Sequence, residues 1–298
     1  MKKLVVGMVC CFVVFGFVAN KVNAQIDTPT FTFEKVIGNV YAGKQGAPLE
    51  GILGTPPGTY LTVNLYVIAS EDKSELVVVD LPGLPPDIYP ELLESFWAAL
   101  GSEFPGAIIK AVLLTHGHID HCWSVPYFAA NGIPVYASYD EIYGPLDEYG
   151  FPLVLLTDPN LPAPIQPVVP GFTLTFGNGF IRTIDFKGHT PGHLGYAYYP
   201  DGDDRKINWL FAGDAVIAPL DHGLNEDPFD ITYFVRLQVL ADTYDYAAWM
   251  ENLLAVKNQL TPSAKLFPAH GAIREGYFWQ QPMDYIEHSI AVLQAHMP

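Results

Sequence analysis

Thr115-His116-Gly117-His118-Ile119-Asp120-His121 is the stretch that decides how this chain is read. It sets three imidazoles and one carboxylate within six residues, directly after the apolar run Ala107–Leu114. Packing does not account for such a cluster, because buried polar groups cost free energy unless they are paired. Imidazole nitrogen and carboxylate oxygen are ligands that zinc prefers. The competing reading is a solvated, histidine-rich loop. Against it, the chain has only nine histidines, and three of them are here.

Three further islands lie outward from this stretch. Gly188-His189-Thr190-Pro191-Gly192-His193 follows the strand-like run Phe180–Phe186. Ala212-Gly213-Asp214 follows Ile207–Phe211, and Phe267-Pro268-Ala269-His270-Gly271 follows another short apolar run. Each puts a ligand-type side chain just past a strand, where sites form at sheet edges. The adjoining glycines let the backbone turn closely.

Apolar, β-rich runs recur along the chain: Tyr60–Ala69, Glu75–Leu81, Ala107–Thr115, Ile133–Ala137, Phe172–Phe176, Phe180–Phe186, Leu194–Tyr199 and Ile207–Ala212. Gly, Pro or polar residues bound them, as they bound strands. Helices are predicted over Asp87–Leu100, Asp245–Leu260 and Met283–His296. Strands in meander-like groups, separated by helices, predict an α/β chain of two packed sheets with helices outside. Gly43–Gly58, rich in Gly and Pro, reads as a mobile loop between the strand-like runs Lys35–Ala42 and Tyr60–Ala69.

Together, HxHxDH (116–121), GHTPGH (188–193), AGD (212–214) and PAHG (268–271) resemble the motifs of the metallo-β-lactamase superfamily, in order and spacing, from about Val36 to Gly271. The resemblance implies an αββα sandwich with metals at one edge of the two sheets. It implies that His116, His118 and His189 hold a first metal, that Asp120, His121 and His270 hold a second, and that Asp214 bridges them. Two zinc ions are the expected cofactors, with iron, manganese or cobalt as alternatives. Asp120 is placed to orient the nucleophile and relay a proton. His193 and Asp80 are expected to hold a ligand histidine rather than a metal, although Asp80 reads equally well as a turn cap. Cys122 reads as a small buried thiol or as a group approaching the metals. His222, His288 and His296 have no motif around them and read as surface residues.

The resemblance also narrows the reaction. Where zinc β-lactamases with a cysteine ligand carry that cysteine, this sequence has Asp214. Glyoxalase II places basic residues after AGD, but Ala215–Phe234 contains no Lys or Arg. Many acyl-homoserine lactonases carry Tyr where Ile217 stands. The basic residues between Gly188 and His270 other than histidine are Arg205, Lys206, Arg236, Lys257 and Lys265, a sparse set for clamping phosphate or sulfate. Aromatic residues are plentiful there: Phe229, Tyr233, Phe234, Tyr244, Tyr246 and Trp249 line an apolar pocket or belong to the core. The expected reaction is hydrolysis of a neutral or weakly polar ester or lactone, with β-lactam hydrolysis as the alternative and iron-dependent oxidation a more distant one. The expected substrate contacts are Leu49, Ile52 and Leu53 in the 43–58 loop, together with Ile217, Tyr233 and Phe234.

Composition places the chemistry. Lys2 and Lys3, the apolar run Leu4–Val18 and Val22-Asn23-Ala24 read as a secretory signal peptide over residues 1–24, followed by one hydrolase domain over 25–298. The competing reading is an anchor, but a spanning helix needs about 20 apolar residues. Cleavage leaves 12 basic against 32 acidic residues, a net −20, in a periplasmic or secreted protein. Such a charge repels nucleic acid and leaves a small-molecule substrate as the expected partner. Cys122 is then the only cysteine, so no internal disulfide forms.

Overall fold

The computed structural model describes residues 31–48, 60–83, 90–144, 156, 165–216, 245–270 and 282–297. Among these residues, seven strands form the first sheet in sequence order: β1 (Phe33–Ile37), β2 (Val40–Pro48), β3 (Tyr60–Ala69), β4 (Glu75–Val79), β5 (Ile108–Leu113), β6 (Val135–Ser138) and β7 (Gln166–Val168). Neighbours are antiparallel from β1 to β4 and parallel from β4 to β7. The second sheet has the order β12 (Leu260–Pro268), β11 (Ile207–Gly213), β10 (Leu194–Tyr199), β9 (Gly179–Asp185), β8 (Thr173–Phe176). The helices are α1 (Pro90–Glu103), α2 (Ile119–Cys122), α3 (Val125–Ala130), α4 (Tyr139–Tyr143), α5 (Tyr246–Lys257) and α6 (Pro282–His296). Among the described residues, no helix is long and apolar enough to cross a membrane.

The layers follow from strand burial. Along β3, Leu65 and Val67 face one core, with Phe96 and Leu92 of α1 and Phe128 of α3. Tyr66 and Ile68 face the other, with Tyr196 and Phe211 of the second sheet. Both faces of the central strands are therefore covered, and such strands read as continuous apolar runs rather than alternating ones. Trp249, Leu253 and Val256 of α5, with Ile286 and Leu293 of α6, join the core of the second sheet. This is the expected αββα sandwich.

The structure corrects several expected boundaries. Lys35–Ala42 is not one strand: Gly38, at φ 55, turns the chain and splits the run into the β1–β2 hairpin. Residues 43–48 are not loop. β2 pairs with β3 from Val40↔Ile68 to Pro48↔Tyr60, and backbone pairing outweighs the low strand preference of its glycines. Gly43 is needed there, because a Cβ would lie 2.8 Å from the rings of both Phe31 and Phe33. The remainder of the expected loop, with Leu49, Ile52 and Leu53, lies outside the described residues, as does the expected signal peptide.

Helix α1 starts at Pro90, since proline suits a first helical turn, and it runs through Gly101 to Glu103. Helix α5 starts after Asp245, whose side chain accepts from the Ala248 amide. It ends at Lys257, not Leu260, because Leu260 opens β12. β7 was not expected as a strand, and β12 was expected only as a short apolar run before His270; their extents come from parallel pairing with β6 and β11.

Candidate metal centre

Every ligand-type side chain expected of the two metals comes from the ends of β5, β9, β11 and β12. Beyond β5, the chain turns through His116 and His118 into the single turn α2, which carries Asp120 and His121. Tyr196 donates its hydroxyl to the carbonyl of Leu114 at 2.5 Å, and Tyr66 donates to the carbonyl of Pro268 at 2.6 Å. These buried phenols fix the strand ends from which His116 and His270 emerge. Asn64 N–H donates to the Ala269 carbonyl at 2.6 Å, joining the two sheets beside His270.

The motif glycines have steric reasons. Gly188 sits at φ 136, and a Cβ there would lie 2.3 Å from that of Trp249. Gly213 sits at φ 56, with Thr115 and the His193 ring 2.7 Å from where its Cβ would be.

Two groups result: His116, His118, His189 and Asp214; and Asp120, His121 and His270. His118 Nδ1 lies 3.1 Å from His189 Nε2. Asp214 Oδ2 lies 3.8 Å from His116 Nε2 and 3.5 Å from His189 Nε2. Its Oδ1 lies 3.5 Å from His121 Nε2 and 3.3 Å from His270 Nε2. Asp120 Oδ2 lies 3.4 Å from His121 Nε2 and 3.3 Å from His270 Nε2. Ligands about 2.0–2.1 Å from a tetrahedral ion stand about 3.3 Å from one another. The observed separations are of that size.

His116 Nε2, His121 Nε2 and Asp214 Oδ1 are buried and make no hydrogen bond among the described residues. Each such orphan costs about 1–3 kcal/mol, a cost that a cation held among them removes. The residues fit two divalent ions.

The far sides of the His121 and His116 rings are held. Asp80, at the end of β4, contacts His121 Nδ1 through Oδ2 at 3.2 Å and accepts from the Thr115 amide at 2.8 Å. Thr115 Oγ1 lies 2.9 Å from Asp80 Oδ2 and 3.0 Å from His116 Nδ1. Asp80 therefore does more than cap a turn. His193 Nε2 lies 3.1 Å from the Ala212 carbonyl, and its ring stacks on His116 with centroids 4.7 Å apart and planes 8° apart. Asp80 thus reaches His121 by a side-chain contact, and His193 reaches His116 by stacking.

Cys122 is buried and donates to the Gly117 carbonyl at 3.3 Å. Burial pushes its thiol well above the usual range, and it stands apart from both ligand groups. His288 is half-buried on α6 rather than a surface residue. His222 lies outside the described residues, and so do Ile217, Phe229, Tyr233, Phe234 and Tyr244.

Electrostatics divides the histidines. Burial, reinforced by His121, holds His116 well below the usual imidazole range. Burial and His189 bring His118 to about 3. Burial opposes charge on His270 as well, but Asp214 and Asp120 overcome it and raise His270 to about 10. The same two carboxylates raise His121 against the same opposition. Asp120 and Asp214 are correspondingly held well below the carboxylate range by His121 and His270, despite burial. Asp120 is about a quarter exposed. It marks the side from which solvent reaches the cluster.

Sequence reasoning left two supports unassigned. Trp249, noted only as one of several aromatics, is fully buried; its ring centroid is 5.5 Å from that of His189, and its Nε1 donates to the Ala215 carbonyl at 2.8 Å. Glu141, in α4, bonds to both histidine loops. Its only sequence signal was Ser138-x-x-Glu141, a helix-capping pattern.

A family model described as the metallo-beta-lactamase superfamily matches residues 58–270. The hydroxyacylglutathione hydrolase of Blochmanniella pennsylvanica is 28% identical over 152 residues, 49% of this chain and 44% of that protein, so the match spans less than half of that relative. The probable metallo-hydrolase YflN of Bacillus subtilis is 26% identical over 201 residues, 59% of this chain and 69% of that protein. A metallo-beta-lactamase from Pontibacter korlensis superposes with a TM-score of 0.59 at 18% identity, covering 89% of this chain and 99% of that one. The metallo-beta-lactamase FIM-1 from Pseudomonas aeruginosa, in its mono-zinc form, gives 0.59 at 17% identity, covering 92% and 100%. At such identities the likeness to solved structures concerns the fold. Because the family model spans most of the chain, this protein belongs to the metallo-β-lactamase superfamily of metallo-hydrolases.

Proposed function

We propose that this protein is a binuclear, zinc-type hydrolase that cleaves an ester or lactone bond in a neutral or weakly polar substrate. The observation that carries the proposal is Asp214, whose two oxygens face separate histidine pairs, His116 with His189 and His121 with His270. When bound, such an ion pair acidifies water and polarises a carbonyl. The chain's own residues do the rest. Asp214 holds the two halves in register. Asp120, the partly exposed carboxylate, orients the attacking water and takes its proton. Asp80 and Thr115 fix the rings of His121 and His116, so that their Nε2 atoms face inward.

The substrate class rests on charge. Phosphate or sulfate would call for a guanidinium or ammonium near the ligands. Lys187, two residues before His189, pairs with Asp185, and other described cations are engaged elsewhere: Lys110 with Glu75, Arg205 with Asp203, Lys206 with the Asn258 carbonyl, and Lys257 with Glu287. A thioester of the kind implied by the name hydroxyacylglutathione hydrolase is the second reading, favoured by two relatives of that name. The absence of Lys and Arg from 215–234 argues against it. The test is a panel of lactones, esters, thioesters, a chromogenic cephalosporin and a phosphodiester, offered to zinc-loaded protein. Turnover of lactones or esters at least tenfold above the others supports the proposal. A preference for the thioester, cephalosporin or phosphodiester overturns the substrate class. We also infer export, from the signal-like residues 1–24; an N-terminus at Gln25 in protein taken from a bacterial periplasm would support it.

A further inference from the structure

A buried carboxylate outside the ligand set ties together the two loops that carry the histidines of the first site. Glu141 is 1% exposed. Its Oε2 accepts from the amide of Gly117, between His116 and His118, at 2.8 Å. Its Oε1 accepts from the hydroxyl of Thr190, the residue after His189, at 2.5 Å, and from the Gly192 amide at 2.8 Å.

The fit leaves no room for a side chain at 192. A Cβ there would lie 2.6 Å from the Glu141 nitrogen and 2.7 Å from Ser138 Oγ. Glu141 is the third residue after Ser138, the N-cap of α4. An acid there commonly reaches back to its own helix cap; here both oxygens reach across to the two loops instead. Burying a carboxylate without a cation is costly, and three donors offset that cost. Burial pushes the carboxyl up, while Thr190, Gly192 and Gly117 pull it back. The two loops so joined bring His118 Nδ1 and His189 Nε2 to 3.1 Å.

We propose that Glu141 is a positioning residue for the first metal, its carboxylate locking the Gly117 turn to the Thr190–Gly192 turn and so setting the His118–His189 separation. The inference rests on reading His116, His118, His189 and Asp214 as a metal site. The test measures metal rather than turnover.

Zinc is titrated into the full chain against a chromophoric chelator, and the absorption spectrum of cobalt-loaded protein is recorded. His189→Ala and His270→Ala identify the signals of the first and second sites. Glu141→Gln keeps the volume but replaces one acceptor oxygen with a donor. It is expected to weaken the first site about 10- to 100-fold, as loss of such ligand-orienting partners does, and the second by no more than about threefold. The cobalt bands that change should be those lost in His189→Ala. Thr190→Val, which removes one donor, should shift the first site in the same direction by less. If Glu141→Gln does not fold, Thr190→Val decides.

Unchanged first-site affinity and cobalt bands, with melting temperature lowered equally with and without metal, would overturn the inference and leave Glu141 a stabilising residue only. Wild-type protein that takes up neither zinc nor cobalt would overturn the metal reading and the inference together.

Discussion

Asp80 Oδ2 lies 3.2 Å from His121 Nδ1, while the same carboxylate accepts the amide and hydroxyl of Thr115, whose Oγ1 is 3.0 Å from His116 Nδ1. One carboxylate that faces neither site directly thus orients one histidine of each. It does so from a left-handed backbone, φ 60, which Asp tolerates better than most residues.

Asp80→Asn should therefore fold, since Asn accepts the same backbone and keeps one oxygen. It should bind zinc about 10- to 100-fold more weakly, because the His121 ring loses its anionic partner. Chelator competition measures this. Wild-type affinity would show that Asp80 serves only the turn after β4.

Asp120→Asn should keep most of its metal and lose turnover. The amide retains an oxygen toward His121 and His270 but cannot take up a proton. The expected fall in kcat on the best substrate is at least about 100-fold, the lower end for a general acid–base group. Near-wild-type kcat with full metal content would reduce Asp120 to a ligand.

Proton release should accompany metal uptake. In the metal-free protein, Asp214 and Asp120 raise His270 to about 10, so it carries a proton at neutral pH, and the same carboxylates raise His121. As ligands they must be neutral. Calorimetry of zinc binding at about pH 7.5 in buffers of different ionisation enthalpy should report net proton release, and its absence would contradict the raised His270.

The same shifts govern stability. A histidine whose folded pKa exceeds its unfolded value of about 6.5 stabilises the folded chain fully below 6.5, and that stabilisation is lost as pH rises through the folded value. The melting temperature of metal-free protein should fall between about pH 6.5 and 10, while that of zinc-loaded protein changes less. A flat metal-free profile across that window would contradict the protonated assignment.

The parts of the site legible in the sequence were those whose cause is local. His116, His118, Asp120 and His121 stand within one turn of a buried strand's end, and His189, Asp214 and His270 each follow a strand immediately. Their Gly neighbours marked close turns, as Gly188 and Gly213 turned out to need. β3 and β4 were legible because both faces are covered and nearly every residue is apolar. What was not legible depends on partners distant in sequence. Gly43–Pro48 has no strand character of its own and is held by β3. Thr261-Pro262-Ser263 lies within β12 only because Leu260 on one side and Lys265–Pro268 on the other pair with β11 across an irregularity in register. Glu141 showed a helix-cap pattern, and nothing local marked its bonds to Gly117, some 24 positions back, or to Gly192, 51 ahead.

Trp249 gives the last test, because it separates packing from metal support. It is fully buried on α5, its ring lies against His189, and Gly188 leaves it just enough room. Its Nε1 holds the carbonyl of Ala215, the residue after Asp214, at 2.8 Å. Trp249→Phe keeps an aromatic ring beside His189 but removes that donor, which leaves a buried carbonyl unsatisfied at a cost of about 1–3 kcal/mol. Trp249→Ala also opens a cavity, and such changes cost about 3–5 kcal/mol. Urea unfolding of metal-free protein should rank wild type above Trp249→Phe and Trp249→Phe above Trp249→Ala. If the indole also seats Asp214 through Ala215, zinc affinity should fall in Trp249→Phe as well, at both sites, because Asp214 faces both. Destabilisation with zinc affinity unchanged at both sites would confine Trp249 to the core. Loss at the first site alone would assign its effect to the His189 contact instead of the Ala215 hydrogen bond.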